Sequence, residues 1–228
     1  GPDDEGHVRR LADEARAWGG LRSILITHGH ADHNEGAPAL ASLTGAPILA
    51  WSREGTPNAD QELSDRQVIE CGPDRLQVLY TPGHRFDHVC FLLERTRLLF
   101  AGDLVAGVGT VVILPPEGNI GDYLASLRRL LTLDLALILP AHGPAVTEPH
   151  AKLQEYIDHR LLREQQILEA LSTGLERIPD MVQLIYVDVD PRLHGFAGES
   201  VRAHLLKLES EGRVTSHSVD GETCWRLT

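Results

Sequence analysis

Apolar positions fall in short strand-length runs through about residue 150 and at helical spacing after it. Near the start, Asp3 or Asp4 caps a helix whose apolar face is Val8, Leu11, Ala12, Ala15 and Trp18, and Gly19-Gly20 stops it. A strand is predicted over 22–27, a helix over 37–43 and a strand over 47–50. The stretch 52–66 is polar and reads as a long loop near a site. Strands are predicted at 67–70, 76–80, 89–93 and 98–101, then a helix over 122–131 and a buried strand over 135–139. Consecutive strands mixed with βα units predict packed sheets flanked by helices, an α/β sandwich. After residue 150, helices are predicted over 151–171, 180–186 and 197–211, the last with Val201, Leu205 and Leu208 on one face. Two short strands around Asp220-Gly221 complete a hairpin, so the end reads as a winged-helix-like module. The expected division is a catalytic domain at 1–150 and a helical module at 151–228. Removing the module is expected to impair assembly or substrate choice but to leave the site residues intact.

Composition narrows this picture. A chain of 228 residues with 42% hydrophobic side chains buries a real core. No apolar stretch approaches the roughly 20 residues a membrane-spanning helix needs, and no signal peptide is visible, so a cytoplasmic protein is expected. Cys71, Cys90 and Cys224 are scattered and odd in number, and read as thiols. The net charge of -12 argues against an extended nucleic-acid footprint. Residues 151–228 carry 9 Lys/Arg against 13 Asp/Glu, so this module is not the basic wing of a DNA reader. A role in homodimerisation or in shaping a substrate groove is expected instead. The chain opens Gly-Pro and its only methionine is Met181, so residue 1 is not read as a natural start.

The chemistry concentrates in Thr27-His28-Gly29-His30-Ala31-Asp32-His33, directly after the apolar run Ile24-Leu25-Ile26. Gly29 beside His30 argues for a loop there. A strand end opening into a loop aims three imidazoles and a carboxylate at one point, and that donor set suits Zn²⁺. Three more groups follow strands in the same way: His84 after Thr81-Pro82-Gly83, Asp103 after Gly102, and His142 after Pro140-Ala141. Seven such groups exceed what one tetrahedral ion takes, and a bridging carboxylate accounts for the excess with two ions. His88, four residues past His84, lines the site or supports a ligand, and with Asp32 is a candidate catalytic side chain. His7, His150, His159, His194, His204 and His217 read as solvated, and so does Arg85.

His28-x-His30-x-Asp32-His33, Thr81-Pro82-Gly83-His84, Gly102-Asp103 and Ala141-His142-Gly143 together resemble the metallo-β-lactamase superfamily. The resemblance implies a four-layer αββα sandwich. It also implies two Zn²⁺ ions, one on His28, His30 and His84 and the other on Asp32, His33 and His142, with Asp103 bridging. The tail, with Tyr156-Ile157-Asp158-His159-Arg160 opening its long helix, is similar to the β-lactamase-like-protein-2 group, which includes a zinc-dependent endoribonuclease acting on single-stranded RNA. Members usually carry a strand pair before the first helix, and this chain is expected to lack it. Arg85 stands where many relatives have Thr or Ser.

Two Zn²⁺ ions with Asp32, Asp103 and a bridging hydroxide leave the site at about +1 by formal charge. They bring a water toward a pKa of ~7 and polarise the group under attack. The leading expectation is a phosphodiesterase or endoribonuclease acting on single-stranded RNA. The alternative is a thioesterase of the hydroxyacylglutathione-hydrolase or acyl-carrier type, acting on a small-molecule ester or thioester. β-Lactamase activity is less expected. A non-catalytic regulator would have shed ligands, and here the set is complete.

Overall fold

The computed structural model describes residues 1–228, which gather into two compact units. The first comprises Gly1–Pro82, Phe86–Gly109 and Asp134–Pro149. Its opening helix, α1 (Glu5–Ala17), is capped by Asp4, whose Oδ1 accepts the His7 amide at 2.6 Å. Trp18, expected on the apolar face, instead forms the C-cap and is 86% exposed. Strand β1 (Ile24–Leu25) is shorter than expected, because the chain then turns from one sheet to the other. Ile26 still bonds Leu49, but the Thr27 carbonyl takes the Val89 amide at 2.8 Å. One turn of helix, α2 (Ala31–Asn34), follows where a loop was expected, and α3 (Ala37–Thr44) ends in a left-handed Gly45. β2 (Ile48–Ala50) pairs in parallel with β1 and with β3 (Gln61–Glu62). β3 lies inside the polar stretch read as loop; both its residues are exposed, so no alternation marks it.

The second sheet has the order β4 (Val68–Cys71), β5 (Asp74–Tyr80), β6 (Val89–Leu93), β7 (Leu98–Gly102), β8 (Leu137–Pro140). Its neighbours are antiparallel except β7 and β8, which run in parallel. Leu49 from β2 packs with Leu76, Val78, Val89 and Phe91 from this sheet, so the two sheets share a core. On the other face of the small sheet, Val8, Ala12, Ala37 and Leu40 cover Ile24 and Ile48. The unit is thus layered helix, sheet, sheet.

The second unit comprises Gly83–Arg85, Thr110–Leu133 and His150–Thr228. Its elements are α4 (Ile120–Leu131), α5 (Pro149–Ser172), α6 (Ile178–Ile185), α7 (His194–Ser210), β9 (Val214–Val219) and β10 (Glu222–Leu227). The hairpin turns on Asp220 and Gly221, both at positive φ, as a two-residue loop of this kind demands. Ile167 and Leu171 from α5, Met181 and Val182 from α6, Val201, Leu205 and Leu208 from α7, and Trp225 from β10 form one core. Glu164 is buried, with its two oxygens taken at 2.6 Å each by Lys207 and Arg213, tying α5 to α7 and the hairpin.

Two readings of solvated side chains are corrected here. His204 is fully buried in α7, on the face that carries Leu205 and Leu208 inward. Arg85 is also buried, its Nε donating to Glu117 at 3.1 Å. None of the helices is long and apolar enough to cross a membrane.

Candidate metal centre

The ends of β1, β7 and β8 each release one or more of the expected donors. β1 runs out into His28 and His30, and α2 then places Asp32 and His33 on one turn. Asp103 directly follows β7, and His142 lies two residues past β8. His84 sits in the short span Gly83–Arg85, held at both ends by Pro82 and Phe86 of the first unit.

The donor atoms converge in two groups. One ligand atom each from His28, His30, His84 and Asp103 lies within 4.8 Å of the others, and the same holds for Asp32, His33 and His142. The groups meet at Asp103. Its Oδ2 is 3.4 Å from His33 Nε2 and 4.0 Å from His28 Nε2, while its Oδ1 is 3.5 Å from His142 Nε2. Asp32 Oδ2 lies 3.4 Å from His33 Nε2 and 3.3 Å from His142 Nε2. His28 Nε2 and His30 Nδ1 approach to 2.9 Å.

A decisive detail is His33 Nε2, a buried ring nitrogen with no hydrogen-bond partner. It faces two carboxylate oxygens at distances that suit ligands around a common cation better than hydrogen bonds. Leaving such an atom unsatisfied costs about 1–3 kcal/mol. A divalent ion at that point would remove the cost and draw on Asp32, His33 and His142 together, so the residues fit a metal.

The supporting contacts are as ordered as the donors. His28 Nδ1 meets Thr27 Oγ1 at 3.1 Å, and His84 Nδ1 meets the Val112 carbonyl at 2.8 Å. Such bonds fix which ring nitrogen faces the site. His88 is fully buried: its Nδ1 meets Thr81 Oγ1 at 3.0 Å, and its Nε2 accepts the Asp103 amide at 3.1 Å. Because Nε2 accepts, Nδ1 carries the proton. Gly102, just before Asp103, has φ 50° and no room for a side chain: a Cβ there would lie 2.6 Å from His88 Nε2.

Sequence reasoning passed over Asp87 and Asn34. Asp87 is buried, and its Oδ2 accepts the Gly29 amide at 2.9 Å, while Asn34 Nδ2 donates to the Gly29 carbonyl at 2.7 Å. The two clamp the glycine at the centre of the histidine loop. The one available signal was an acidic residue directly before His88 in a stretch otherwise read for histidines.

A family model described as "Metallo-beta-lactamase superfamily" matches residues 1–142, and one described as "Beta-lactamase associated winged helix domain" matches residues 178–225. The "Lactamase-like protein adaB" of Aspergillus niger is 37% identical over 78% of this chain and 55% of its own length. The chain therefore spans little more than half of that relative. The "Atrochrysone carboxyl ACP thioesterase" of Aspergillus chevalieri is 32% identical over 89% of this chain and 68% of its own length. The "Beta-lactamase-like protein 2 homolog" of Drosophila melanogaster is 32% identical over 97% of this chain and 79% of its own length. Among solved structures, a beta-lactamase domain protein from Burkholderia ambifaria superposes with a TM-score of 0.84 at 18% identity, over 100% of this chain and 81% of that one.

Proposed function

Since the chain belongs to the metallo-beta-lactamase superfamily, a family of metal-dependent hydrolases, we propose that it hydrolyses an acyl thioester at a two-ion Zn²⁺ centre. His28, His30 and His84 would hold one ion and Asp32, His33 and His142 the other, with Asp103 between them. When bound, the ions supply an activated water and a positive anchor for the charge that develops on the group under attack. The observation that carries the hydrolase reading is His33 Nε2, buried, unpartnered and aimed between two carboxylates.

The chain's own residues set the geometry. Thr27 and the Val112 carbonyl orient His28 and His84. Asp87 and Asn34 hold the loop between His28 and His30. His88 acts as a positioning residue. Both of its nitrogens are engaged, so it holds the Asp103 backbone and does not exchange a proton with substrate. Asp32, more than half exposed, stands where substrate arrives and is the carboxylate placed to take a proton.

The thioester reading is supported by the relative named a thioesterase and by the net charge of -12, which repels a polyanion. Hydrolysis of single-stranded RNA is the second reading. It is favoured by the 97% span shared with the beta-lactamase-like protein 2 homolog and by the tail's similarity to that group. A panel of a pantetheine thioester, a glutathione thioester, a phosphodiester dye, single-stranded RNA and a β-lactam separates the two. Thioester turnover that is lost in His28→Ala supports the first reading. RNA cleavage lost in the same variant, with no thioester turnover, replaces it with the second.

A further inference from the structure

The second unit holds a cavity of about 400 Å³ that the hydrolytic reading does not use. Its walls include Ile113, Tyr186, Leu193 and Phe196, with Arg160 and Arg163 from one face of α5. Arg160 is 3% exposed. One of its Nη atoms donates to the Val111 carbonyl, and its guanidinium lies 5.4 Å from the centre of the Tyr123 ring. Arg163 lies 4.6 Å from the centre of the Tyr186 ring and donates to Gln166 at 2.7 Å. The Nε of each arginine is buried with no hydrogen-bond partner.

Neither guanidinium pairs with a carboxylate, in a chain whose acids outnumber its bases by 12. The adjacent Glu164 is not available, since Lys207 and Arg213 take both of its oxygens. Two cations held close together without a counter-ion are costly. The surrounding groups register that field. His159 is pushed below its ordinary pKa first by burial and then by the charges of Arg160 and Arg163. His204 is pushed down to about 3 by burial first, with Arg160 next.

We propose that this cavity binds an oxyanion, carboxylate or phosphate, carried on an apolar body. Arginine forks bind such groups through paired N–H donors. The head would meet Arg160 and Arg163, and the body would lie along Leu193 and Phe196, the latter 59% exposed and uncovered. Val112, also on the wall, carries the carbonyl bonded to His84 Nδ1, so the occupant would sit against the segment that orients a metal donor. The inference does not rest on the thioester reading, because it concerns binding without turnover.

Calorimetry on the full chain tests it with three probes: octanoate, octyl phosphate and 1-octanol. Saturable one-to-one binding of at least one anion is expected, at least about tenfold tighter than 1-octanol, as one lost charge-assisted hydrogen bond implies. The anion that binds tighter identifies the head group. Arg163→Gln, at a half-buried position, should weaken anion binding about tenfold or more without lowering the melting temperature sharply. Arg160→Lys serves as a second variant, but its burial makes folding the first thing to check. Equal binding of 1-octanol, no saturation, unchanged affinity in Arg163→Gln, or anion binding that disappears on chelating the metal would each overturn the proposal.

Discussion

His88 is a fully buried ring with both nitrogens engaged. It receives the Asp103 amide on one nitrogen and meets Thr81 on the other. His88→Phe keeps the ring volume and removes both contacts. Supporting contacts of this kind are worth about 10–100-fold in metal affinity or activity. We expect a loss of that size, read by titration against a competing chelator; unchanged affinity for both ions would count against the positioning role. His204 gives a second test. Its folded pKa of about 3 lies below the ordinary 6.5, so the fold holds the neutral form. The unfolded chain binds the extra proton between those values, and stability therefore falls as pH drops below 6.5, by about 1.4 kcal/mol per pH unit. Arg160, Lys207, His159 and Arg163 all oppose the proton. Urea melts of His204→Phe from pH 7 to 5 should show a shallower pH slope than the parent; identical slopes would contradict this. The seven candidate donors stood out because they cluster just past apolar runs. His204 did not, since a histidine at a core-facing helical position looks like any other polar residue until its neighbours are known.

At the scale of elements, the hairpin and the helices of the second unit were legible from spacing and from Asp220-Gly221. The two-residue β3 was not, because parallel pairing with β2 holds it without any apolar side chain of its own. The one-turn α2 was missed because Gly29 argued for a loop, and the helix begins only after it. The polar tie that joins α5 to α7 and the hairpin beside their shared apolar core is also invisible in the sequence: one carboxylate, Glu164, shared by a lysine 43 residues away and an arginine 49 residues away. Glu164→Gln removes the buried charge that both cations share and leaves them only the more exposed Glu211, 2.8 Å from Lys207 and 3.7 Å from Arg213. Breaking a fully buried pair from one side costs about 3–5 kcal/mol, and the half-exposed Arg213 together with Glu211 sets that as the upper end. Equilibrium urea unfolding should lose about 2–3 kcal/mol, and a loss under about 1 kcal/mol would show the cluster to be solvated in practice.

For the molecule as a whole, the expected division was a catalytic domain at 1–150 and a helical module at 151–228 whose removal leaves the site residues in place. The compact units run otherwise: α4 and the span Gly83–Arg85, which carries His84, cluster with residues 150–228. Arg160 of α5 lies over Tyr123 of α4, so the long helix is part of what α4 packs on. Truncation after residue 150 should therefore yield an aggregating chain with reduced metal content, read by size-exclusion chromatography and metal analysis; a monodisperse fragment with full metal would refute this. The central claim is that seven side chains form one two-ion centre with Asp103 between the ions. Metal analysis of the purified full chain beside Asp103→Asn tests it most directly. The account predicts two equivalents of Zn²⁺ in the parent, one or fewer in the variant, and hydrolysis lost with them. A parent that holds a single ion, or a variant that keeps both ions and its activity, would contradict it.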